Sequence, residues 1–372
     1  MPKANNPLTR TIFAAMAAAV WLLCGCNSST GNLNAAVAAA GVTHGTSGAA
    51  AASTDRLQAN DHEPFDSQRA MDVLKKQCDF GVRPLGTEAH EKTKDYLIAQ
   101  MKLCADETKL QQFKYRSMPV TNVIGVFYPA GSDKPAARPI VLMTHWDTRP
   151  IADGPYSTET AHGVQFRFGA NGWKPLAPIM GANDAASGVA VLLELARLFK
   201  QKRPPVGVIL LLDDGEDYGD FRANNGIGDG VELGARYFAK NYRSDKTYGQ
   251  PAYGILLDMV GAQNAFFVKE DLSERSAPEL NQRVFHIGQA LGYGDIFRST
   301  GSQDVGDDHV SMNEAFIPTI DIIHPLPGLN SPDGAYRYWH TREDTPDKCS
   351  ATTLKAVGDT IAETIYREAP SK

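Results

Sequence analysis

Five short runs of β-branched residues and leucine, at residues 122–128, 139–143, 206–212, 253–257 and 317–323, carry almost no polar alternation. A strand without a polar face has to be covered on both sides, which restricts it to the centre of a layered structure. Around these runs lie segments with apolar residues at helical spacing. Two precede them, at 66–78 and 88–104, and others follow at 185–201, 277–291 and 351–367. In the segment 185–201 the apolar positions are Val189, Leu192, Leu193, Ala196 and Phe199, a stripe suited to packing on a sheet. Doubly covered strands alternating with such helices predict a three-layer α/β/α sandwich around a central mixed, mostly parallel sheet. The length of 372 residues and the 42% hydrophobic content supply a core of that size.

The first residues belong to processing. Residues 1–26 read as a secretory signal, with Lys3 and Arg10 ahead of an apolar run at 11–23 that is too short for a stable membrane span. That run ends in Leu23-Cys24-Gly25-Cys26, which resembles a bacterial lipobox and implies cleavage before Cys26 and diacylation of its thiol. Residues 27–54 are almost entirely Ala, Gly, Ser, Thr and Asn, a composition that cannot offset the entropy of ordering, and so read as a tether. The catalytic domain is expected at 55–372. The expected location is a lipid-anchored, exported protein facing the periplasm, touching the membrane only through Cys26. In an oxidising compartment Cys78, Cys104 and Cys349 leave room for one disulfide and one free thiol, Cys78 with Cys104 among the options. Their spacing fits no zinc pattern.

A net charge of −6 and the lack of a long Lys/Arg block argue against a nucleic-acid partner, because counterion release has no source. Chemistry is indicated elsewhere. Several apolar runs end abruptly in acidic or imidazole side chains: His145 and Asp147 after the second run, Asp213, Asp214, Glu216 and Asp217 after the third, and Asp258 after the fourth. In open α/β sheets the ligand crevice lies beyond the carboxyl ends of the strands, so these groups can converge. Asp184, at the head of a helix, and His340 belong with them. Singly, Asp184 could cap a helix, His145 could be a core histidine and Asp258 a turn former. Together they form a carboxylate cluster that needs a cation, and zinc matches the mixture of imidazole and carboxylate. Connections at 149–181 and 218–230 are long enough to line or cover such a site.

His145-x-Asp147, Gly181-Ala182-Asn183-Asp184, Asp213-Asp214-Gly215-Glu216-Asp217, Leu257-Asp258 and Trp339-His340-Thr341 resemble, in order and spacing, the metal-site motifs of the zinc aminopeptidase superfamily. Within that superfamily three details are similar to the type II glutaminyl cyclases: Gly306-Asp307-Asp308-His309, Trp339 directly before His340, and the stretch from Leu257-Asp258 to Gly261-Ala262-Gln263. The resemblance implies one zinc on Asp184, Asp217 and His340, Glu216 as general acid/base, Asp258 and Asp307 as a hydrogen-bonded acidic pair beside it, and Trp339 as a pocket wall. It implies cyclisation of N-terminal Gln on peptides or proteins to pyroglutamate, with loss of ammonia. Animal cyclases have Glu where this chain has Asp217, which points to a bacterial branch. Their site disulfide is absent, since Thr144 and Val189 stand at those places, and the second pocket aromatic has no clear match around Phe221.

Two rival readings use the same residues. A two-zinc aminopeptidase would place a second metal with His145 and Asp258 and let Asp184 bridge. An exported peptide-binding lipoprotein would use the fold without catalysis, and the full ligand set with Glu216 argues against it.

Overall fold

Residues 62–157, 177–221, 228–327 and 333–370 are described in a computed structural model of the chain; the Cys26 lipobox and the 27–54 tether lie outside them. Six strands build the main sheet: β1 (Glu107–Tyr115), β2 (Met118–Phe127), β3 (Ile140–His145), β4 (Val208–Asp213), β5 (Tyr253–Asp258) and β8 (Thr319–Ile323). Their spatial order is β1-β2-β4-β3-β5-β8. β3 runs parallel to both β4 and β5, β8 runs parallel to β5, and the β1–β2 hairpin adds antiparallel strands at the β4 edge. The expected mixed, mostly parallel sheet is thus observed. A small parallel pair, β6 (Phe267–Glu270) with β7 (Phe297–Gln303), lies outside it.

The missing alternation in the strand sequences has a direct cause, because both faces of the central strands are apolar and both are covered. Val123, Leu142, Val208, Leu210, Leu212, Ile255 and Leu257 join one cluster, which packs against α1 (Ser67–Asp79), α2 (Glu88–Cys104), α3 (Ala186–Gln201), α6 (Pro278–Ala290) and α8 (Ala351–Tyr366). Their neighbours Ile124, Val141, Met143, Ile209, Leu211 and Leu256 point to the other face, where they meet α4 (Leu233–Asn241) and α7 (Asp308–Glu314). Successive strand residues alternate between two dry layers, as the pleat requires. A short helix α5 (Asp271–Ser276) separates β6 from α6. No helix among the described residues is long and apolar enough to cross a membrane.

α3 lies very close to the sheet. A Cβ at Gly188 would sit 2.2 Å from Thr144 Oγ1 and 2.4 Å from the Leu257 carbonyl oxygen, so only glycine lets the helix start between the ends of β3 and β5. That approach delivers the residues just before α3 to the strand ends. Cys78, Cys104 and Cys349 are all free thiols, so the possible Cys78–Cys104 bond is not formed.

Candidate active site

The strand ends do converge. His145 closes β3, Asp258 closes β5, and the turn after β4 carries Glu216 and Asp217. Asp184 arrives from the entry to α3 and His340 from the loop before α8; the Asp184–Ala185 peptide is cis. All six side chains are buried.

Two groups of ligand atoms form, and both include Asp184: Asp184, Asp217 and His340 in one, His145, Asp184 and Asp258 in the other. His340 Nε2 lies 3.2 Å from Asp217 Oδ1 and 3.7 Å from Asp184 Oδ2. His145 Nε2 lies 3.1 Å from Asp184 Oδ1 and 3.3 Å from Asp258 Oδ1. The sets overlap in one carboxylate and make a single centre. One imidazole and two carboxylates with an open position are the donors of a catalytic zinc, bound at ~2.0–2.2 Å. Asp217 Oδ2, buried with no hydrogen-bond partner among the described residues, is the kind of atom a cation would satisfy. The donor set and this orphaned oxygen fit zinc.

The acids around the centre strain one another's ionisation. Burial raises Glu216 well above the ordinary carboxylate range; His145 opposes the rise, while Asp217, Asp307 and Asp258 reinforce it. Asp307 is raised in the same direction by burial and by Asp258, although it caps α7 by accepting from the Asp308 N–H at 2.6 Å. Burial and Asp217 push Asp184 up to about 6. Asp217 goes the other way, because His340 and Arg149 outweigh its burial and lower it. Paired carboxyls with separated affinities for a proton, beside a metal set, are the arrangement acid–base catalysis uses.

A cavity of about 530 Å³ opens onto these groups, lined by Asp184, Glu216, Asp258, Asp307 and His340 and walled by Trp339, Phe221, Val305, Ile323, Leu326 and Pro327. The Trp339 and His340 rings stack with centroids 4.0 Å apart. Phe221, for which the sequence offered no clear match, therefore contributes a wall. His309 stays out of the cavity: it is fully buried, 3.2 Å from Glu270.

Several residues that hold the site, all but Asp147 among those that follow, escaped the sequence reading. Asp344 accepts from the Asn183 and Asp184 N–H groups at 2.9 and 3.1 Å and from the Tyr336 hydroxyl at 2.6 Å, so it fixes the loop presenting Asp184. Asp147 accepts from the Glu216 and Asp217 N–H groups at 3.0 and 3.3 Å while facing His145 Nδ1 at 3.4 Å. Asp321 on β8 is buried, its carboxyl has no hydrogen-bond partner among the described residues, and burial together with Asp307 and Asp258 raises it well above its usual value. Arg149 and Asp153, in the segment leaving β3, reach Asp217 and His340. The only sequence signals were spacings, Asp153 four residues after Arg149 and Asp344 four after His340.

Residues 122–365 match Peptidase family M28. Among solved structures the chain is similar to the glutaminyl cyclase of Bacteroides thetaiotaomicron bound to N-acetylhistamine, at 35% identity, covering 83% of this chain and 100% of that one with a TM-score of 0.69. It is also similar to a leucine aminopeptidase precursor from the same organism, at 36% identity, 83% and 99% coverage and a TM-score of 0.67. The glutaminyl-peptide cyclotransferase of Drosophila melanogaster is 21% identical over 291 residues, 70% of each chain. With a family match running from β2 into α8 and bacterial glutaminyl cyclases matched over their whole length, this chain belongs to peptidase family M28.

Proposed function

We propose that the protein is a one-zinc glutaminyl-peptide cyclotransferase, closing N-terminal Gln of peptides or proteins to pyroglutamate with release of ammonia. The observation that carries this reading is the buried Asp307 carboxyl, which lines the cavity with Asp258 yet enters neither ligand group, and which burial and Asp258 raise well above the usual carboxylate range, so that a protonated acid and not a further metal ligand stands beside Asp258. The similarity to bacterial glutaminyl cyclases supports it.

In this reading Asp184, Asp217 and His340 hold the zinc, which when bound supplies Lewis-acid polarisation of the side-chain carbonyl. Trp339 and Phe221 bracket the Gln side chain and fold it toward its own α-amine, so proximity supplies much of the acceleration. Glu216 takes a proton from the amine as the new C–N bond forms. It then delivers that proton to the side-chain nitrogen, whose bond to carbon breaks as ammonia leaves. Asp258 and Asp307, which line the cavity with Glu216, hold and tune it.

A Gln-initiated peptide is expected to lose the mass of one ammonia with its backbone intact, whereas a Leu-initiated peptide stays unchanged. Activity should climb through the pKa of the attacking α-amine, about 7.7–8.0, since only the neutral amine is a nucleophile. Mass spectrometry of the two peptides across pH checks both points. The second reading, a two-zinc aminopeptidase, is favoured by the completeness of the His145, Asp184 and Asp258 set. Free leucine from the Leu peptide, or two zinc ions bound per chain, would establish it over the cyclase.

The same proposal includes export and lipid anchoring at Cys26. Cys26→Ser is expected to abolish palmitate labelling and release the protein from membranes; persistent labelling would contradict the anchor.

A further inference from the structure

Arg149 and Asp153 belong neither to the metal set nor to the acid–base group, yet they meet two of the three ligands. Arg149 and Asp153 form a fork, Nε to Oδ1 at 2.6 Å and Nη2 to Oδ2 at 2.8 Å. The remaining nitrogen, Nη1, faces the other way. It donates to Asp217 Oδ1 and to the Asp217 carbonyl oxygen, both at 3.0 Å, and to the Gly219 carbonyl oxygen at 3.2 Å. Asp153 Oδ1 also lies 3.2 Å from His340 Nδ1.

The backbone of this segment grips the same histidine. The Gly154 N–H donates to the His340 carbonyl oxygen at 3.0 Å, and a Cβ on Gly154 would lie 2.1 Å from the Trp339 carbonyl oxygen. His340 itself sits at φ 51°, a left-handed conformation that a side chain keeps only where its surroundings impose it. The fork is dry, with the Arg149 side chain 3% and the Asp153 side chain 11% exposed. The Arg149 guanidinium lies 5.2 Å from the Phe221 ring centroid, which joins the clamp to the cavity wall.

We propose that Arg149 and Asp153 are positioning residues for the metal set: Asp153 holds His340 in the tautomer that leaves Nε2 free, and Arg149 ties Asp217 at Oδ1. A bound zinc would then meet an oriented imidazole and a carboxylate with one oxygen already engaged by Arg149. A carboxylate hydrogen-bonded to the far nitrogen of a ligand histidine fixes the ring and strengthens it as a donor. A guanidinium on a ligand carboxylate occupies a lone pair that could otherwise chelate.

This inference rests on the assignment of Asp184, Asp217 and His340 as ligands. Its test reads metal binding alone, so it is independent of the substrate. Zinc affinity is measured by competition with a chromogenic chelator, and cobalt(II) replaces zinc for visible spectroscopy. Asp153→Asn is expected to weaken zinc binding about 10–100-fold. It should also shrink the rise in melting temperature that zinc produces, measured from each variant's own zinc-free melting temperature. Arg149→Met should dim the cobalt bands as Asp217 takes up two-oxygen coordination. Arg149→Lys, which keeps the cation without the fork, should fall between and supplies the readout if the Met variant does not fold. Wild-type affinity in Asp153→Asn together with an unchanged cobalt spectrum in the Arg149 variants would overturn the proposal. Zinc binding that survives His340→Ala would remove the ligand assignment itself.

Discussion

Glu216→Gln is expected to lower turnover by at least ~10²–10⁴-fold while zinc content stays at the wild-type level, because it deletes the proposed proton carrier and leaves a polar side chain of the same size. The expected loss follows from the surroundings of Glu216. Its N–H is held by Asp147, its carboxylate lies 3.8 Å from His145 Nδ1, and it borders the cavity without belonging to either ligand set. The sign of the pH dependence follows from its raised proton affinity. Only ionised Glu216 can accept the amine proton, so wild-type activity falls as pH drops through its folded-state pKa. The folded chain binds this proton more tightly than the unfolded chain does. Ionisation therefore costs stability as pH rises above the ordinary carboxylate range, and Gln removes that cost. Zinc-free Glu216→Gln should consequently melt no lower than the zinc-free wild type at pH 8. Turnover and zinc content measured on one preparation decide the case: near-normal turnover removes Glu216 from proton transfer, and lost zinc makes it a structural residue.

The largest expected effect on stability comes from Arg83. Its side chain is fully buried and donates to four carbonyl oxygens: Trp146 at 3.3 Å, Gly81 at 3.4 Å, Met180 at 3.0 Å and Gly181 at 2.7 Å. The strand-end residues after β3 and the loop entering α3 are thereby fastened to each other through one guanidinium. Arg83→Met strands these acceptors in a dry interior at about 1–3 kcal/mol each, and with partial relaxation the net loss is expected at roughly 3–5 kcal/mol. Chemical denaturation should show the midpoint falling with an unchanged slope. A change below about 1 kcal/mol would mean that the loop is held by other contacts, Asp344 foremost.

How far the sequence reveals this molecule depends on which forces leave a local trace. The parallel strands β3, β4, β5 and β8 are legible because burial on two faces removes polar residues from a contiguous run. β1 is not, since an edge strand such as Glu107–Tyr115 keeps a polar, half-exposed face and reads like a loop. α4 is equally obscure: it follows a Gly-rich connection and has no side-chain cap at its start. Asp184, Glu216, Asp217 and Asp258 can be read because each follows an apolar run or heads a helix, and His340 because it stands in Trp339-His340-Thr341. Asp153, Arg149, Asp344 and Asp321 have no such trace. The groups they support lie far away along the chain, Asp217 and His340 for the Arg149–Asp153 fork and Asn183 and Asp184 for Asp344, and only the folded arrangement turns an ordinary loop acid into a support for a ligand.

With Asp184, Asp217 and His340 as the ligands proposed above, their scatter sets the order in which this protein assembles. Asp184, Asp217 and His340 sit singly along the chain, with β4 between the first two and β5 to β8 between the last two. An unfolded polypeptide therefore presents no pair of neighbouring donors like those through which a zinc finger captures its ion early. Metal uptake here has to follow closure of the sheet, because the strand ends are what bring the donors within reach of one another. Zinc cannot nucleate this fold, and the chain must reach its native topology on the strength of its two apolar layers before the ion has a place to go.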